Sequence, residues 1–349
     1  MSSITITKEA TMPLQLTELR KLIPKEYYEP PTVKNIVYFI IKASFFLVPL
    51  YGACLSDNFF ISALLTLISG VFLFSLGTVG HDCGHGLHVK PKWLNEAIGQ
   101  FSMTFHGLPY AGWKHSHNTH HASTNEEDKD PDRLWLFTDE YLAFNKVERY
   151  LWRLFHTRLF WMSAVGHYFR SMLPWSFKIT EKTKSAEIIK DARIDLIYFF
   201  SILIAFHGGM YALGFGFKSV IIHFFTIMIA LMCLSAYVRT EHYLLTNGTN
   251  VKDKPWLTSR TVLQNPFLDF LATNLNYHVE HHILQVIPHA NLPKIRPLMK
   301  RVILDAKQPY AEDDFLKFMV KAFNQEFFVL ERNTFRAIPF SELKAKQIV

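Results

Sequence analysis

The chain carries four apolar stretches of the length needed to cross a bilayer, and this limits its fold more than any other feature. Residues 36–80 are strongly apolar except at Ser56, Asp57 and Asn58, which leaves two segments of roughly the twenty residues a spanning helix requires. A second pair covers about 194–213 and 220–238, split by the glycine-containing turn at 214–218. Each pair reads as a transmembrane hairpin, so the spacing predicts an all-α integral membrane fold of four helices. Lys42 falls inside the first span, near enough to its start for a long side chain to reach the headgroups.

Two hairpins return the chain to the side on which it began. The polar segment 1–34, residues 81–190 and residues 239–349 then share one aqueous face, with 35–80 and 194–238 in the bilayer, as one domain over 1–349. The outer turns hold little charge beyond Asp57 and Lys218, while the opposite face carries nearly all Lys and Arg, which predicts a cytoplasmic face. The first thirty residues lack the basic-then-apolar pattern of a cleaved signal. Segments 95–113 and 151–173 read as interfacial or re-entrant helices, 122–146 as a polar connection, and 310–330 as an amphipathic helix.

A hydrophobic fraction of 49% with 31 Phe is high for a soluble enzyme and agrees with four spans. The net charge of +7 is not gathered into basic runs, which argues against nucleic acid as a partner. Cys54, Cys83 and Cys233 are widely spaced, so neither a disulfide framework nor a thiolate metal site is indicated, and Cys83 reads as a small packing residue.

Thirteen of the 17 histidines fall within 81–121 and 242–289. Three boxes stand out: HxxxH at His81 and His85, HxxHH at His117, His120 and His121, and HxxHH at His278, His281 and His282. At this histidine content one HxxHH is expected by chance about 0.04 times, and two about once in a thousand chains; HxxxH alone is weak. On a helix, i, i+3 and i+4 share a face, so eight imidazoles can converge on the cytosolic side. Eight donors suit two metal ions with open positions better than one, and imidazole suits iron, copper and zinc alike.

The stretches GHDCGHG at 80–86, LPYAGWKHSHNTHH at 108–121 with Asp130-Pro131-Asp132, and NYHVEHHILQVIPHANLP at 276–293 resemble the membrane-bound fatty acid desaturases, closest in feel to the Δ12 and ω-3 acyl-lipid group. The resemblance implies a cytosolic helical cap holding two iron ions, with O2 as co-substrate, and formation of a cis double bond in a membrane acyl lipid. Its ligands on this chain are His81, His85, His117, His120, His121, His278, His281 and His282, joined by His242 in the run after the fourth span. Electrons are expected from a separate donor, ferredoxin or cytochrome b5, with Lys90, Lys92, Lys114 and Arg133 as a docking surface. Oligomeric state is not legible.

An unactivated C–H bond offers no acid to deprotonate and no carbonyl to polarise, so a redox metal must carry such a reaction. Asp82, Glu241, Glu280, Asp130 and Asp132 are candidates to orient the rings. His88, His106, His115 and His289 sit off the box spacing as supporting or surface groups, with His115 the foremost exception. His207 and His223 fall within the spans and read as lone neutral imidazoles that bond across helices, not as functional groups. Phe105, Tyr110 and Trp113 are candidates to line an acyl tunnel. The rival functions are a hydroxylase of an acyl chain, carotenoid, sterol or alkane on the same site, and a metal transporter or sensor; a zinc hydrolase lacks its motifs.

Overall fold

The computed structural model describes residues 16–126, 129–133, 135–242, 245, 254–324, 326–332 and 336–345. Four helices are long and apolar enough to cross a membrane, and they mark the chain as a membrane protein. Two of them, α1 (Thr32–Leu55) and α2 (Phe59–Gly84), meet at the predicted interruption. There Asn58 caps α2, its Oδ1 accepting from the amides of Phe60 and Ile61 at 2.9 and 3.1 Å.

Close approach holds the spans together. Ser69 Oγ donates to the Phe46 carbonyl (2.9 Å), tying α2 to α1. A Cβ on Gly70 would lie 2.5 Å from the Ile229 side chain, so only glycine lets α2 approach the later spanning helix that carries Ile229.

The expected single segment over 95–113 is two helices, α3 (Lys92–Phe105) and α4 (Tyr110–Ser123). The chain turns sharply at Gly107 (φ 73°), and Pro109 starts the next helix. Phe105, at the tip of α3, packs among the spans against Phe46 and Phe206, with ring centroids 5.2 and 5.1 Å apart. Over 151–173 the structure is broken into short turns after a helix at Lys146–His156. Thr157 Oγ1 donates back to the Arg153 carbonyl (2.7 Å), a local bond that competes with helix continuation.

The remaining spans are α5 (Ala186–Met210) and α6 (Lys218–His242). His207 and His223 bond across helices as expected, and their partners are each other (3.1 Å). Lys42 departs from expectation. It is fully buried, and its Nζ donates to Thr273 Oγ1 at 2.7 Å beneath the Phe270 ring. Its position turns it toward the protein, so the ammonium bonds inside instead of reaching the headgroups.

The fold is also not purely helical. Strand β1 (Thr261–Leu263) pairs in parallel with β2 (Glu312–Asp314), and β3 (Phe328–Leu330) pairs antiparallel with β4 (Ala337–Pro339). Between β1 and β2 lie α7 (His278–Ile283) and α8 (Leu292–Asp305). The expected helix over 310–330 contracts to α9 (Phe315–Phe323), capped by Asp314 and flanked by β2 and β3.

Just before α7, Thr273 and Asn274 both adopt positive φ, 53° and 60°. A β-branched residue there is strained by roughly 1–3 kcal/mol and persists only where the surroundings fix it. Thr273 Oγ1 is held by Lys42 and by Thr78 Oγ1, 2.7 Å away. The strained turn thus locks the entry into box three onto α1 and α2.

Candidate metal centre

Four helices deliver the boxes. The end of α2 supplies His81, with His85 at its C-cap; α4 supplies His117, His120 and His121; the last residue of α6 is His242; α7 supplies His278, His281 and His282. All nine side chains meet, but each HxxHH motif faces two ways. His81, His85, His117, His121 and His281 form one group, their donor nitrogens within 4.8 Å of one another, and His120, His242 and His282 form a second. His278 joins the second group, its Nε2 standing 2.7 Å from that of His242 and 3.0 Å from that of His282. His121 and His282 adjoin, with ring centroids 4.4 Å apart.

Within the first group Nε2 of His117 lies 3.2 Å from that of His85 and 2.8 Å from that of His121, and Nε2 of His281 lies 3.1 Å from that of His121. In the second group the opposite ring nitrogens are occupied. Nδ1 of His120 meets Asp130 Oδ1 (2.7 Å), Nδ1 of His242 meets the Thr258 carbonyl (2.8 Å), and Nδ1 of His278 meets the Leu275 carbonyl (3.2 Å). A ring that donates through Nδ1 turns a bare lone pair on Nε2 toward its neighbours. Lone pairs pointed at one another repel unless a cation sits among them.

Except at His120, protons are poor candidates for that cation. Burial, followed by the neighbouring imidazoles, pushes His117, His121, His278, His281 and His282 well below the ordinary histidine range. Burial and then His289 bring His85 to about 3. His120 alone runs the other way: burial opposes its charged form, but the Asp130 carboxylate outweighs this and carries it to about 9. Two imidazoles each about 2.0–2.1 Å from a common ion stand about 3 Å apart, the spacing found here. The donor set therefore fits metal ions.

The candidate orienting carboxylates divide. Asp130 reaches His120, and Glu241 lies 3.7 Å from His278. Asp82 instead binds His88 (3.0 Å) and the His289 amide (3.2 Å), Asp132 binds His167 (3.0 Å), and Glu280 accepts from Thr261 and Tyr310, away from any ring. Glu280 fails that role because it alternates in α7 with the histidines and points to β1. His289 is buried with Nε2 3.3 Å from His81 Nδ1, closer to the centre than its spacing suggests. His115, the foremost exception in the sequence, is in neither group and only half-buried. Backbone carbonyls as ring partners left no signal in the sequence.

An apolar cavity of about 130 Å³ borders both groups. His81, His117, His120, His242 and His278 line it together with Met103, Leu108, Leu231 and Leu234. Trp113 is on its wall and stacks on His117 at 5.0 Å and 7°. Phe105 belongs to the core among the spans, and Tyr110 packs behind Trp113. Of the expected docking cations, Lys90, Lys114 and Arg133 are paired with Glu29, Glu96 and Glu140.

The fatty acid desaturase family model matches residues 58–313, which include every box. An sn-1 acyl-lipid omega-3 desaturase (ferredoxin) of Synechocystis sp. is 41% identical over 127 residues, 35% of this chain and 34% of that one. The namesake of Nostoc sp. is 26% identical over 328 residues, 88% of each chain. An sn-1 oleoyl-lipid 12-desaturase of Anabaena variabilis is 24% identical over 80% of each. Because the matched span takes in all nine converging imidazoles and the helices that carry them, the chain belongs to the fatty acid desaturase family and is a fatty acid desaturase.

Proposed function

We propose that the protein introduces a cis double bond into an acyl chain esterified in a membrane lipid, at a centre of two iron ions. The observation that carries this is the convergence of nine imidazoles, five of which line an apolar cavity. His81, His85, His117, His121 and His281 would hold one ion, and His120, His242, His278 and His282 the other. The chemistry the ions supply when bound is reduction of O2 coupled to removal of hydrogen from two adjacent methylenes. Atoms balance with one O2, two electrons, two protons and the two abstracted hydrogens giving two waters.

The chain's own residues prepare that step. Met103, Leu231 and Leu234 receive methylenes and exclude water. Trp113, stacked on His117, sets how far the chain can slide past the first group. Asp130 holds the proton on His120 Nδ1 and fixes its tautomer.

In this reading the four spans form two transmembrane hairpins, the boxes sit in a helical cap on the cytoplasmic side, and 1–349 is one domain. The names of the relatives favour an sn-1 acyl lipid as substrate and ferredoxin as the separate electron donor. The test is expression in a host with a compatible donor, gas-chromatographic mapping of new double bonds, and His281→Ala as control. New double bonds absent from the control support the reading. Hydroxylated lipid without them would replace it with the hydroxylase.

A further inference from the structure

Away from the metal centre, the helix at 146–156 and α9 flank an open groove of about 490 Å³. Tyr150, Arg153, Thr157 and Arg158 line one side, and Phe323 and Asn324 belong to the other. Both helices turn apolar residues outward: Val147 and Tyr150 on the first are 66% and 57% exposed, Leu316 and Val320 on α9 are 69% and 64% exposed. Residues 316, 320 and 323 follow helical spacing, with exposed Lys317 and Lys321 beside them. An apolar stripe bordered by cations is the pattern of a helix lying in a membrane interface.

The position agrees. Phe315, the first residue of α9, packs on Tyr237 near the end of α6 with ring centroids 5.2 Å apart. The start of α9 is therefore anchored to the end of a spanning helix. Inside the groove, Arg153 rests on the Phe340 ring (4.1 Å), and its Nε is buried with no hydrogen-bond partner. Among the described residues neither Arg153 nor Arg158 has an ion pair. One carboxylate, Glu326, also lines the groove, and it accepts from the Ser341 amide.

We propose that this groove binds the phosphodiester headgroup of an anionic phospholipid, with Arg153 and Arg158 on the phosphate and Tyr150, Leu316, Val320 and Phe323 against its acyl region. Two unpaired guanidinium forks match phosphate oxygens, and an apolar surround suits a lipid better than a free anion or an acidic protein. The inference rests on membrane insertion of the four spans but not on desaturation, and its readout is lipid retention.

The test uses the full chain in detergent micelles. Binding of a fluorescent phosphatidylglycerol is compared with that of phosphatidylcholine bearing the same chains, with millimolar inorganic phosphate and a soluble acidic ferredoxin as competitors. The anionic lipid is expected to bind about tenfold more tightly, neither competitor displacing it, and the pair Arg153→Gln, Arg158→Gln to abolish the preference at unchanged metal content. Arg158→Gln alone, at an exposed position, guards against misfolding and should remove most of the preference, whereas Arg158→Lys keeps part of it. Equal retention of both lipids, an unaltered preference in the double variant, or displacement by phosphate or ferredoxin would each overturn the proposal.

Discussion

His120 Nδ1 stands 2.7 Å from Asp130 Oδ1, and the same carboxylate accepts from the backbone amides of Asn125 (2.7 Å) and Asp132 (2.9 Å). One side chain thus fixes both a ring and the loop that follows box two. Asp130→Asn removes the charge and frees the ring to turn. It is expected to weaken metal affinity about 10–100-fold while the helical content remains. Metal titration of the purified variant checks this; wild-type affinity would show that Asp130 only shapes the loop.

Acid should release the metal and loosen the fold together. His85, His106 and His117 have their pKa depressed by burial, to about 3 and about 4 for the first two. Between those values and the unfolded value near 6.5, the unfolded chain binds more protons than the native one. The stability these rings contribute is therefore complete above about pH 6.5 and falls as pH drops toward 4. Metal content and melting temperature measured at pH 7.5 and 5.5 should both decline, and retention of both at 5.5 would refute the assignment of these rings as neutral.

Gly77 lies on the cavity wall, where a Cβ would stand 2.8 Å from His106 Nε2. Gly77→Val should shorten the usable cavity. The expected result is a product profile shifted to shorter acyl chains, or loss of product, with metal content unchanged. An unaltered profile would place the acyl chain elsewhere.

Gly112 faces a harder obstacle. A Cβ there would fall 2.1 Å from the Ser176 carbonyl oxygen, which is backbone and cannot rotate away. Gly112→Ala should force α4 outward, destabilise the protein by about 3 kcal/mol and displace His117 and His120. Thermal unfolding and metal content would both fall; a wild-type melting curve would contradict the packing of α4.

What the sequence made legible was local. The boxes announce themselves because i, i+3 and i+4 recur within one helical turn, and the spans because twenty apolar residues need no tertiary knowledge. The division of each HxxHH between two groups was not legible. His117 and His121 sit one turn apart and go to one side, while His120, rotated about the axis, goes to the other. Lys42 was misread because hydropathy gives a span's depth and not which way each residue faces. The three-residue strands that brace box three are too short to show an alternation.

The central claim is that nine imidazoles hold two irons that oxidise a lipid chain. Its most direct measurement is iron per polypeptide in purified, active protein, taken together with double-bond formation in the same preparation. The account predicts two irons per chain, with activity lost in proportion as iron is removed and restored by ferrous iron but not zinc. Full activity with one iron or none, or with zinc in its place, would contradict it.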